Sequence, residues 1–398
     1  MTRWPIIRLD ECCEIISGAT PSTGTASYWD GDICWATPRD LSGLPGPTID
    51  DTPRKITPAG LKSCGATLLP VGSVLFSSRA PIGHVAINTR PMATNQGFKS
   101  FIPNPRRLVP GYLYHWLRCN RSYIEGLGNG ATFKEVSKAV VSRIEIPTPP
   151  VPEQRRIATI LDHADALRVK RRVALAQLDE MAQAIFLEMF GDLHTNPRRW
   201  PVVPVSRYVE AFQGGKSLEA DGEESGGRYR VLKISAVTGM FFKASESKPL
   251  SDIYVPPQTH FVRSGDLLFS RANTTELVGA IAYVDYAPAN LLLPDKLWRF
   301  VWRSPTSVEP LFIWELFQTP AIREEIGRRA TGTSGSMKNI SQEKLLAMNT
   351  ILPPLPLQKE FVKRLSAVRR VNENFLDSAK QLDTLFASLQ HRAFNGEL

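Results

Sequence analysis

The chain has 398 residues, of which 42% are hydrophobic and 22% are charged, and its formal net charge is +9. This composition is typical of a folded protein of two or three domains, and it excludes a fibrous or wholly disordered chain. No apolar run reaches the roughly 18 residues that a membrane-spanning helix needs, so we expect no membrane contact. The amino terminus lacks a secretory signal, which predicts a cytoplasmic protein. The five cysteines form no C-x-x-C pair, so we expect reduced thiols.

The positive charge is concentrated in two long segments. Residues 1–149 carry a net charge of +5 and residues 197–353 carry +3. An excess of Lys and Arg permits binding to nucleic acid, although many basic proteins never bind it. The two basic segments are therefore the candidates for contacting an anion.

The sequence is a tandem repeat with a period of about 200 residues. RWP at residue 3 recurs at residue 199, LFSSRA at residue 75 resembles LFSRA at residue 268, and IPTPPVPEQ at residue 146 resembles TILPPLPLQ at residue 350. From Lys134 to Phe190 the two copies align without a gap at a constant shift of 204 residues. Chance does not sustain one register over such a distance, so the chain arose by duplication.

Each copy has two parts. The first part is rich in Gly, Pro, Thr and aromatic residues, and its short apolar runs predict strands at residues 73–76 and 280–284. Helices are predicted late in this part, over residues 111–123 and 310–329. The second part starts at a proline cluster and then lacks Pro and Gly, which predicts one long helix in each copy.

The apolar residues of the two long segments recur about every 3.5 residues, which predicts that the helices pack against each other as a coiled coil. The predicted contact residues are Ile157, Leu161, Ala164, Leu167, Leu178, Met181, Ile185 and Met189 in the first, and Phe361, Leu365, Val368, Val371, Phe375, Leu382, Leu385 and Leu389 in the second. A basic run, Arg168, Lys170, Arg171 and Arg172, interrupts this pattern. It has two interpretations, a solvated helix face or a contact with phosphate or a partner protein.

The sequence contains no recognised motif for catalysis or metal binding. It lacks H-E-x-x-H, C-x-x-C and G-x-S-x-G, and it lacks the Asn/Asp-Pro-Pro-aromatic loop of base methyltransferases. The six histidines are scattered along the chain. We therefore expect no catalytic residues and no metal site.

Three segments carry a family resemblance. PTPPVPEQRRIATIL from residue 147, LPPLPLQKEFVKRL from residue 352 and the closing RAFNGEL resemble the specificity subunit of type I restriction–modification enzymes. The resemblance follows the family's order along the whole chain and implies an α+β fold. That fold has two mixed α/β target-recognition domains (residues 1–150 and 194–352) separated by two long antiparallel coiled-coil helices (residues 151–193 and 353–398), in a pseudo-twofold tandem repeat.

The resemblance also implies a function. The chain would be a non-catalytic, sequence-specific DNA-recognition subunit in which each domain reads one half of an asymmetric bipartite site in double-stranded DNA. The helices would set the spacing and dock two methyltransferase subunits, and restriction and motor subunits would join the larger complex. S-adenosylmethionine, ATP and magnesium would act in those partners, with no cofactor in this chain.

Two other functions remain open from the sequence. The first is a basic coiled-coil adaptor that binds proteins without sequence-specific DNA binding. The second is a self-contained modification or nuclease enzyme, which the missing motifs disfavour. A steep fall of duplex affinity with salt would distinguish DNA binding from the adaptor function.

The candidate DNA-binding residues divide by chemistry, because phosphate contacts position a protein whereas base contacts specify sequence. Phosphate candidates are Arg79, Arg271, Lys134 and Lys338, which follow apolar strands or small-residue loops. Base-reading candidates are Arg39, Arg230 and Lys233 for guanine and Asn95 and Gln96 for adenine. The remaining candidates are Thr20, Ser22, Thr23, Thr132, Lys216, Asn273, Lys296 and Ser336. For each of them a purely structural hydrogen bond is the alternative, and Trp29, Trp35, Trp298 and Trp302 are expected in the core.

Overall fold

The computed structural model describes residues 4–79, 81–129, 134–216, 228–250, 254–304, 307–334 and 337–398. It has a mixed α+β fold. The chain divides into two compact units, unit 1 (Met1–Ala176 with Asn374–Leu398) and unit 2 (Gln177–Glu373). Among the described residues, no helix is both long and apolar enough to cross a membrane.

Two long helices contribute residues to both units, and they are α7 (Val151–Phe190) and α12 (Leu355–Asn395). The strands of unit 1 are β1 (Ile6–Arg8), β2 (Cys13–Ser17), β3 (Trp29–Ala36), β4 (Thr48–Ile49), β5 (Lys55–Ile56), β6 (Val74–Phe76), β7 (Val85–Asn88), β8 (Met92–Thr94), β9 (Lys99–Pro103) and β10 (Glu145–Pro147). Its short helices are α1 (Leu9–Cys12), α2 (Pro38–Leu41), α3 (Pro58–Cys64), α4 (Pro110–Cys119), α5 (Arg121–Gly126) and α6 (Lys138–Ser142).

Unit 2 has a similar series of elements. Its strands are β11 (Val202–Pro204), β12 (Val209–Gly214), β13 (Arg230–Leu232), β14 (Ser247–Pro249), β15 (Leu267–Ser270), β16 (Ala272–Asn273), β17 (Ile281–Tyr283), β18 (Leu291–Leu292), β19 (Leu297–Trp302), β20 (Thr331–Ser334), β21 (Met337–Asn339) and β22 (Asn349–Ile351). Its short helices are α8 (Ser235–Thr238), α9 (Pro310–Gln318), α10 (Pro320–Arg329) and α11 (Gln342–Leu346).

The two units have corresponding sheets, although the larger sheet has five strands in unit 1 and four in unit 2. The larger sheet has the order β2-β9-β6-β7-β4 in unit 1 and β12-β19-β15-β17 in unit 2. A smaller sheet is centred on β3 or on β13, and each of these strands pairs antiparallel with one neighbour and parallel with the other. A two-stranded sheet pairs β1 with β10 in unit 1 and β11 with β22 in unit 2. The second strand of each sheet lies just before a long helix in sequence. The sequence repeat is therefore also a structural repeat.

The predicted late helices are each two helices in the structure. The second one breaks at Thr319, whose ψ of 144° is extended because Pro320 follows it. The first breaks at Asn120, whose side-chain amide donates a hydrogen bond to the carbonyl of Trp116 at 2.9 Å. Such a side chain competes with the helical hydrogen bonds of the backbone. The prediction of two continuous helices was wrong for these local reasons.

Both long helices contribute to the apolar core of each unit. In unit 1, Leu161 of α7 and Phe394 of α12 join Tyr112 in one cluster. In unit 2, Phe190 of α7 and Phe361 of α12 lie 5.5 Å apart between ring centroids, in the same cluster. Burying an aromatic side chain of this size contributes about 2–3 kcal/mol to stability. The helix segments are therefore integral parts of both units.

The two helix segments of unit 1 run antiparallel. In unit 1, residue numbers rise along α7 as they fall along α12, because Arg168 contacts Asp383 at 2.6 Å and the Arg171 guanidinium lies 4.1 Å from the ring of Phe375. In unit 2, the Arg364 guanidinium contacts the Glu188 carboxylate at 3.6 Å. The basic run therefore makes contacts within the chain.

The buried stripe of each long helix differs from the predicted coiled-coil stripe. Leu167, Met181, Val371 and Leu385 were predicted as contact residues but are half-exposed. Phe186 is buried instead, since its ring stacks on Phe312 in the core of unit 2, with 6.0 Å between the ring centroids. A spacing of 3.5 residues describes packing against one helix only, whereas these helices also pack against their domains.

A buried glutamine fixes the start of each long helix. The Gln154 amide nitrogen donates to the carbonyls of Arg107 and Pro149, and its oxygen accepts from the backbone N–H of Val109, each at 2.8 Å. Gln358 makes the corresponding bonds to Pro353 at 2.8 Å and to Glu309 at 3.0 Å. This shared role explains why glutamine stands in both copies.

We predict that Gln154→Leu lowers the free energy of unfolding by about 2 kcal/mol, because it leaves one backbone N–H and two carbonyls, of which that of Pro149 is buried, without their partner. The measurement is urea unfolding of the full chain. Glu153→Leu is the control, because Glu153 bonds only the exposed Arg156 and the second copy has Leu357 at this position. Equal losses in the two variants would contradict the prediction.

Candidate nucleic-acid interface

Unit 1 contains an open groove of about 440 Å³ that brings four of the predicted site residues together. The predicted residues are Arg39, Arg79, Asn95 and Gln96. The groove is lined by Thr37, Pro38, Arg39, Ser42, Arg79, Pro81, Asn95, Gln96 and Gly97. These residues come from three separate chain segments, and the repeat motifs alone did not indicate that the segments meet.

Arg39 is presented by the short helix α2. Thr37 and Asp40 form a reciprocal cap, in which the Asp40 carboxylate accepts from the Thr37 backbone N–H at 2.7 Å. Pro38 occupies the first turn, where its missing N–H has no partner to lose. The cap fixes the helix start directly after β3, and the Arg39 side chain is exposed.

The segment at residues 95–97 is held by its own backbone. Asn95 donates its backbone N–H to the carbonyl of Ala36 at 3.0 Å, and its side-chain oxygen accepts from Gly97 at 2.9 Å. This internal bond leaves the Asn95 amide nitrogen as the group available to a ligand. Gln96 is exposed, and its side-chain oxygen accepts a hydrogen bond from the Thr20 hydroxyl. Thr20 and Gln96 therefore form one polar pair beside the groove.

The polar loop at residues 19–23 lies beside this segment because Gly18 has no side chain. A β-carbon on Gly18 would lie 1.9 Å from the carbonyl oxygen of Asn95, so only glycine allows the two backbones to approach. The indole N–H groups of Trp35 and Trp29 donate to the carbonyls of Ala19 at 3.0 Å and Ser22 at 3.1 Å. These bonds set the course of the loop.

The two tryptophans also pack against each other and against a cation. Their ring centroids are 5.1 Å apart in an edge-to-face arrangement, and the Arg54 guanidinium lies 4.0 Å from the Trp29 ring. Trp35 is buried, as predicted, whereas Trp29 is half-buried. Ser22 and Thr23, the other two predicted residues of the loop, are exposed.

Arg79 is oriented by an acidic residue that the sequence patterns did not identify. Its Nε contacts the Glu135 carboxylate at 2.7 Å, and the same carboxylate accepts from the buried Lys99 at 3.2 Å. Burial alone would raise the pKa of Glu135, but the hydrogen bonds from Arg79 and Lys99 outweigh it and hold that pKa below its ordinary value. The cluster of two cations and one anion keeps a net positive charge at the groove.

We predict that Glu135→Gln destabilises the chain by about 1–2 kcal/mol at pH 7, because Lys99 loses its anionic partner at a buried site. A depressed carboxylate pKa stabilises the folded state above the unfolded pKa, and this contribution disappears as the pH falls through the folded pKa. The difference in unfolding free energy between variant and parent should therefore shrink below about pH 4.

The measurement is urea unfolding across this pH range. Glu125→Gln serves as the control, since Glu125 is exposed on α5. A Glu135→Gln difference that stays constant from pH 7 to acidic pH would show that the ion pairs do not stabilise this site.

Unit 2 places Arg271 and Lys296 at the corresponding position. The Arg271 Nε donates to the carbonyl of Asp295 at 3.0 Å, and its guanidinium lies 5.6 Å from the Trp298 ring. The backbone N–H of Gly215 donates to the carbonyl of Pro294 at 2.9 Å. This close approach resembles that of Gly18 in unit 1, and it brings the exposed Lys216 to the same part of unit 2.

Asn273 and Lys338 face each other across the strand pair β16–β21. The Lys338 ammonium donates to the carbonyl of Gly332 at 2.9 Å. The side-chain nitrogen of Asn273 is buried and has no hydrogen-bond partner within the described part of the chain. A buried amide donor of this kind is uncommon in folded proteins and often marks a position that water or a ligand completes.

The remaining candidates do not belong to these clusters. Arg230 donates to the hydroxyl and the carbonyl of Ser247 at 2.9 and 3.0 Å, so its guanidinium already has partners within the fold. Lys233 and Lys134 are exposed. Thr132 and Ser336 lie outside the described residues. The described residues contain no group of three His, Cys, Asp or Glu side chains that could hold a metal ion.

The repeat motifs missed several residues that shape the groove. The cap formed by Thr37 and Asp40 has a local signal, since a Thr followed three residues later by Asp is a common helix start. Glu135 and Lys99 have no such signal, because their contact depends on pairing between segments that are 36 residues apart in the chain.

Comparison with known proteins relates the chain to one family. Residues 1–175 match the family model described as type I restriction modification DNA specificity domain. The specificity subunit of the type I restriction enzyme MjaIX from Methanocaldococcus jannaschii is 36% identical over 191 residues, which are 48% of this chain and 44% of that protein. The EcoKI specificity subunit of Escherichia coli is 25% identical over 342 residues, which are 81% of this chain and 73% of that protein.

Two solved structures share the fold along almost the whole chain. The S subunit of a type I restriction–modification system from M. genitalium superposes with a TM-score of 0.60 at 13% identity, over 99% of this chain and 96% of that one. A chain from a structure of type I system assembly and conformational transition gives a TM-score of 0.58 at 19% identity, over 99% and 98%. The chain is thus similar to type I restriction–modification specificity subunits, and the family model matches residues 1–175 of it.

Proposed function

We propose that this chain is the non-catalytic subunit that selects the DNA sequence for a type I restriction–modification complex. Each unit binds one half of a bipartite site in double-stranded DNA. The observation that carries this proposal is the groove of unit 1, because it collects two arginines and two side-chain amides around one open space. Arg and Lys contact phosphates and guanine, and Asn and Gln contact adenine, so this set suits DNA.

The two half-sites differ in sequence. Asn95 and Gln96 line the groove of unit 1, whereas Asp295 and Lys296 follow the corresponding strand connection in unit 2. An amide pair matches the donor and acceptor of adenine, whereas a carboxylate accepts from cytosine and a lysine donates to guanine. The bipartite site is therefore asymmetric.

The two long helices set the spacing between the half-sites and dock two methyltransferase subunits. Their half-exposed apolar residues, such as Leu167 and Met181, offer contact area to those partners. Restriction and motor subunits complete the complex, and S-adenosylmethionine, ATP and magnesium act in the partner subunits. The chain itself supplies selection and assembly.

We predict that Arg79→Ala weakens binding of the full chain to all duplexes alike and reduces the salt slope of log affinity by about 1, because one phosphate contact is lost. Gln96→Ala instead lowers discrimination at one base pair by about 1–3 kcal/mol and leaves the salt slope unchanged. The measurement is a salt titration against the duplex selected from a randomised pool, together with its single-base variants.

Arg90→Ala is the control for lost charge, because Arg90 is as exposed as Arg79 but lies outside the groove. If both Arg79→Ala and Gln96→Ala bind like the parent and the control, the groove does not contact DNA. If the parent shows no salt dependence and no sequence preference, the chain is a protein-binding adaptor instead.

In unit 2 we predict that Lys233→Ala weakens duplex binding without changing stability, because its exposed ammonium is available to DNA. Arg230→Ala should destabilise the chain by about 1–3 kcal/mol, because its bonds to Ser247 are lost inside the fold. Duplex titration and urea unfolding of both variants separate the two effects. A variant Lys233→Ala with parental affinity would remove that residue from the DNA interface.

A further inference from the structure

The contact between Arg171 and Phe375 has a special place in the repeat. Phe375 occupies the position in the second copy that Arg171 occupies in the first, since the copies align at a constant shift of 204 residues. In unit 1 the Arg171 guanidinium lies 4.1 Å from the centre of the Phe375 ring, and both side chains are half-buried. This contact, called the crossing point below, therefore pairs a residue with its own repeat counterpart.

This coincidence matters because α7 and α12 are repeats of each other. A second copy of this chain offers the same two helices, so α7 can meet either α12 or the α7 of the other copy in the same antiparallel register. At the crossing point, the pairing of unlike helices places arginine on an aromatic face, which is attractive. The pairing of two α7 helices places Arg171 against Arg171, and two guanidinium groups repel at this separation.

Pairing of two α12 helices avoids this repulsion but has a cost of its own. It places two Phe375 rings together, which is acceptable by itself. However, it leaves both α7 segments without a partner, and their buried residues Ile157 and Leu161 belong to a core that includes Phe386 of α12. A dimer of like helices therefore either places Arg171 against Arg171 or exposes the apolar surface of α7.

The neighbouring ion pair does not select between these pairings. Arg168 contacts Asp383 of α12 at 2.6 Å and Asp165 of its own helix at 2.8 Å. The repeat counterpart of Asp383 is Asp179, also an aspartate. Like and unlike pairings thus both offer Arg168 an acidic partner. The choice between them depends on the crossing point.

We propose that Arg171 opposite Phe375 makes the unlike helices pair, so that each chain closes on itself instead of joining a second copy through like helices. The selection comes from one repulsive contact in the wrong assembly and one attractive contact in the right one. It does not depend on DNA binding or on partner subunits.

The test uses the full chain, refolded from urea at increasing protein concentration and analysed by size-exclusion chromatography with light scattering. The parent should stay monomeric. Arg171→Phe removes the repulsion, because every pairing then places two phenylalanines together, so dimer should accumulate as concentration rises. The double variant Arg171→Phe with Phe375→Arg restores an unlike pair and should return to monomer.

Thermal unfolding gives a second readout. Phe375→Arg alone creates two arginines within one chain and should lower the melting temperature by about 2–4 °C, and the double variant should recover most of this loss. Arg168→Ala is the matched control, since it weakens the same helix pair without changing the crossing point. It should lower the melting temperature but leave the chain monomeric.

Three results would overturn the proposal. Arg171→Phe would stay monomeric at every concentration where the parent does, Arg168→Ala would dimerise as readily as Arg171→Phe, or the double variant would be no more stable than Phe375→Arg. The second result would mean that any weakening of the helix pair leads to exchange between copies.

Discussion

The hydrogen bonds of one buried glutamine in each repeat join the start of a long helix to the core of its domain. Gln154 ties the proline turn at the start of α7 to the backbone that begins α4, and Gln358 does the same for α12 and α9. Since α4 and α9 carry core aromatic residues, each glutamine fixes the direction in which a long helix leaves its domain. The groove residues are attached to the same domain, so their position relative to the helix follows from this junction.

The groove itself is built from backbone approaches rather than from large side chains. Gly18 allows the loop at residues 19–23 to lie against Asn95, and Gly215 allows the corresponding approach to Pro294 in unit 2. The charged groups are then added at fixed points, as with Arg79 on the carboxylate of Glu135. The Arg79 guanidinium is therefore held in a fixed direction. Because Lys99 shares the same carboxylate, the net charge of the three groups stays positive.

Much of this organisation was predictable from sequence, and the rest depended on contacts between distant segments. The repeat and the long helices follow from motifs that recur in register, whereas the meeting of Arg79 with Arg39 and Asn95 in one groove does not. The break at Thr319 has a local signal in the proline that follows it, but the sequence pattern predicted one continuous helix there. The partners of Arg79 and Arg168 have no such signal, since Glu135 and Asp383 are brought to them only by folding. Arg230 shows the converse, a residue of suitable chemistry whose hydrogen bonds are internal.

On the proposed DNA-binding function, the two tryptophans that hold the polar loop bear on how sequence preference can change. Trp29 and Trp35 donate to main-chain carbonyls and not to side chains, so these two bonds do not depend on which residues stand at positions 20, 22 and 23. Mutation there replaces the chemical groups offered to a ligand while the scaffold below stays the same. On the proposed function, single substitutions in this loop would change sequence preference while the backbone beneath it keeps its course.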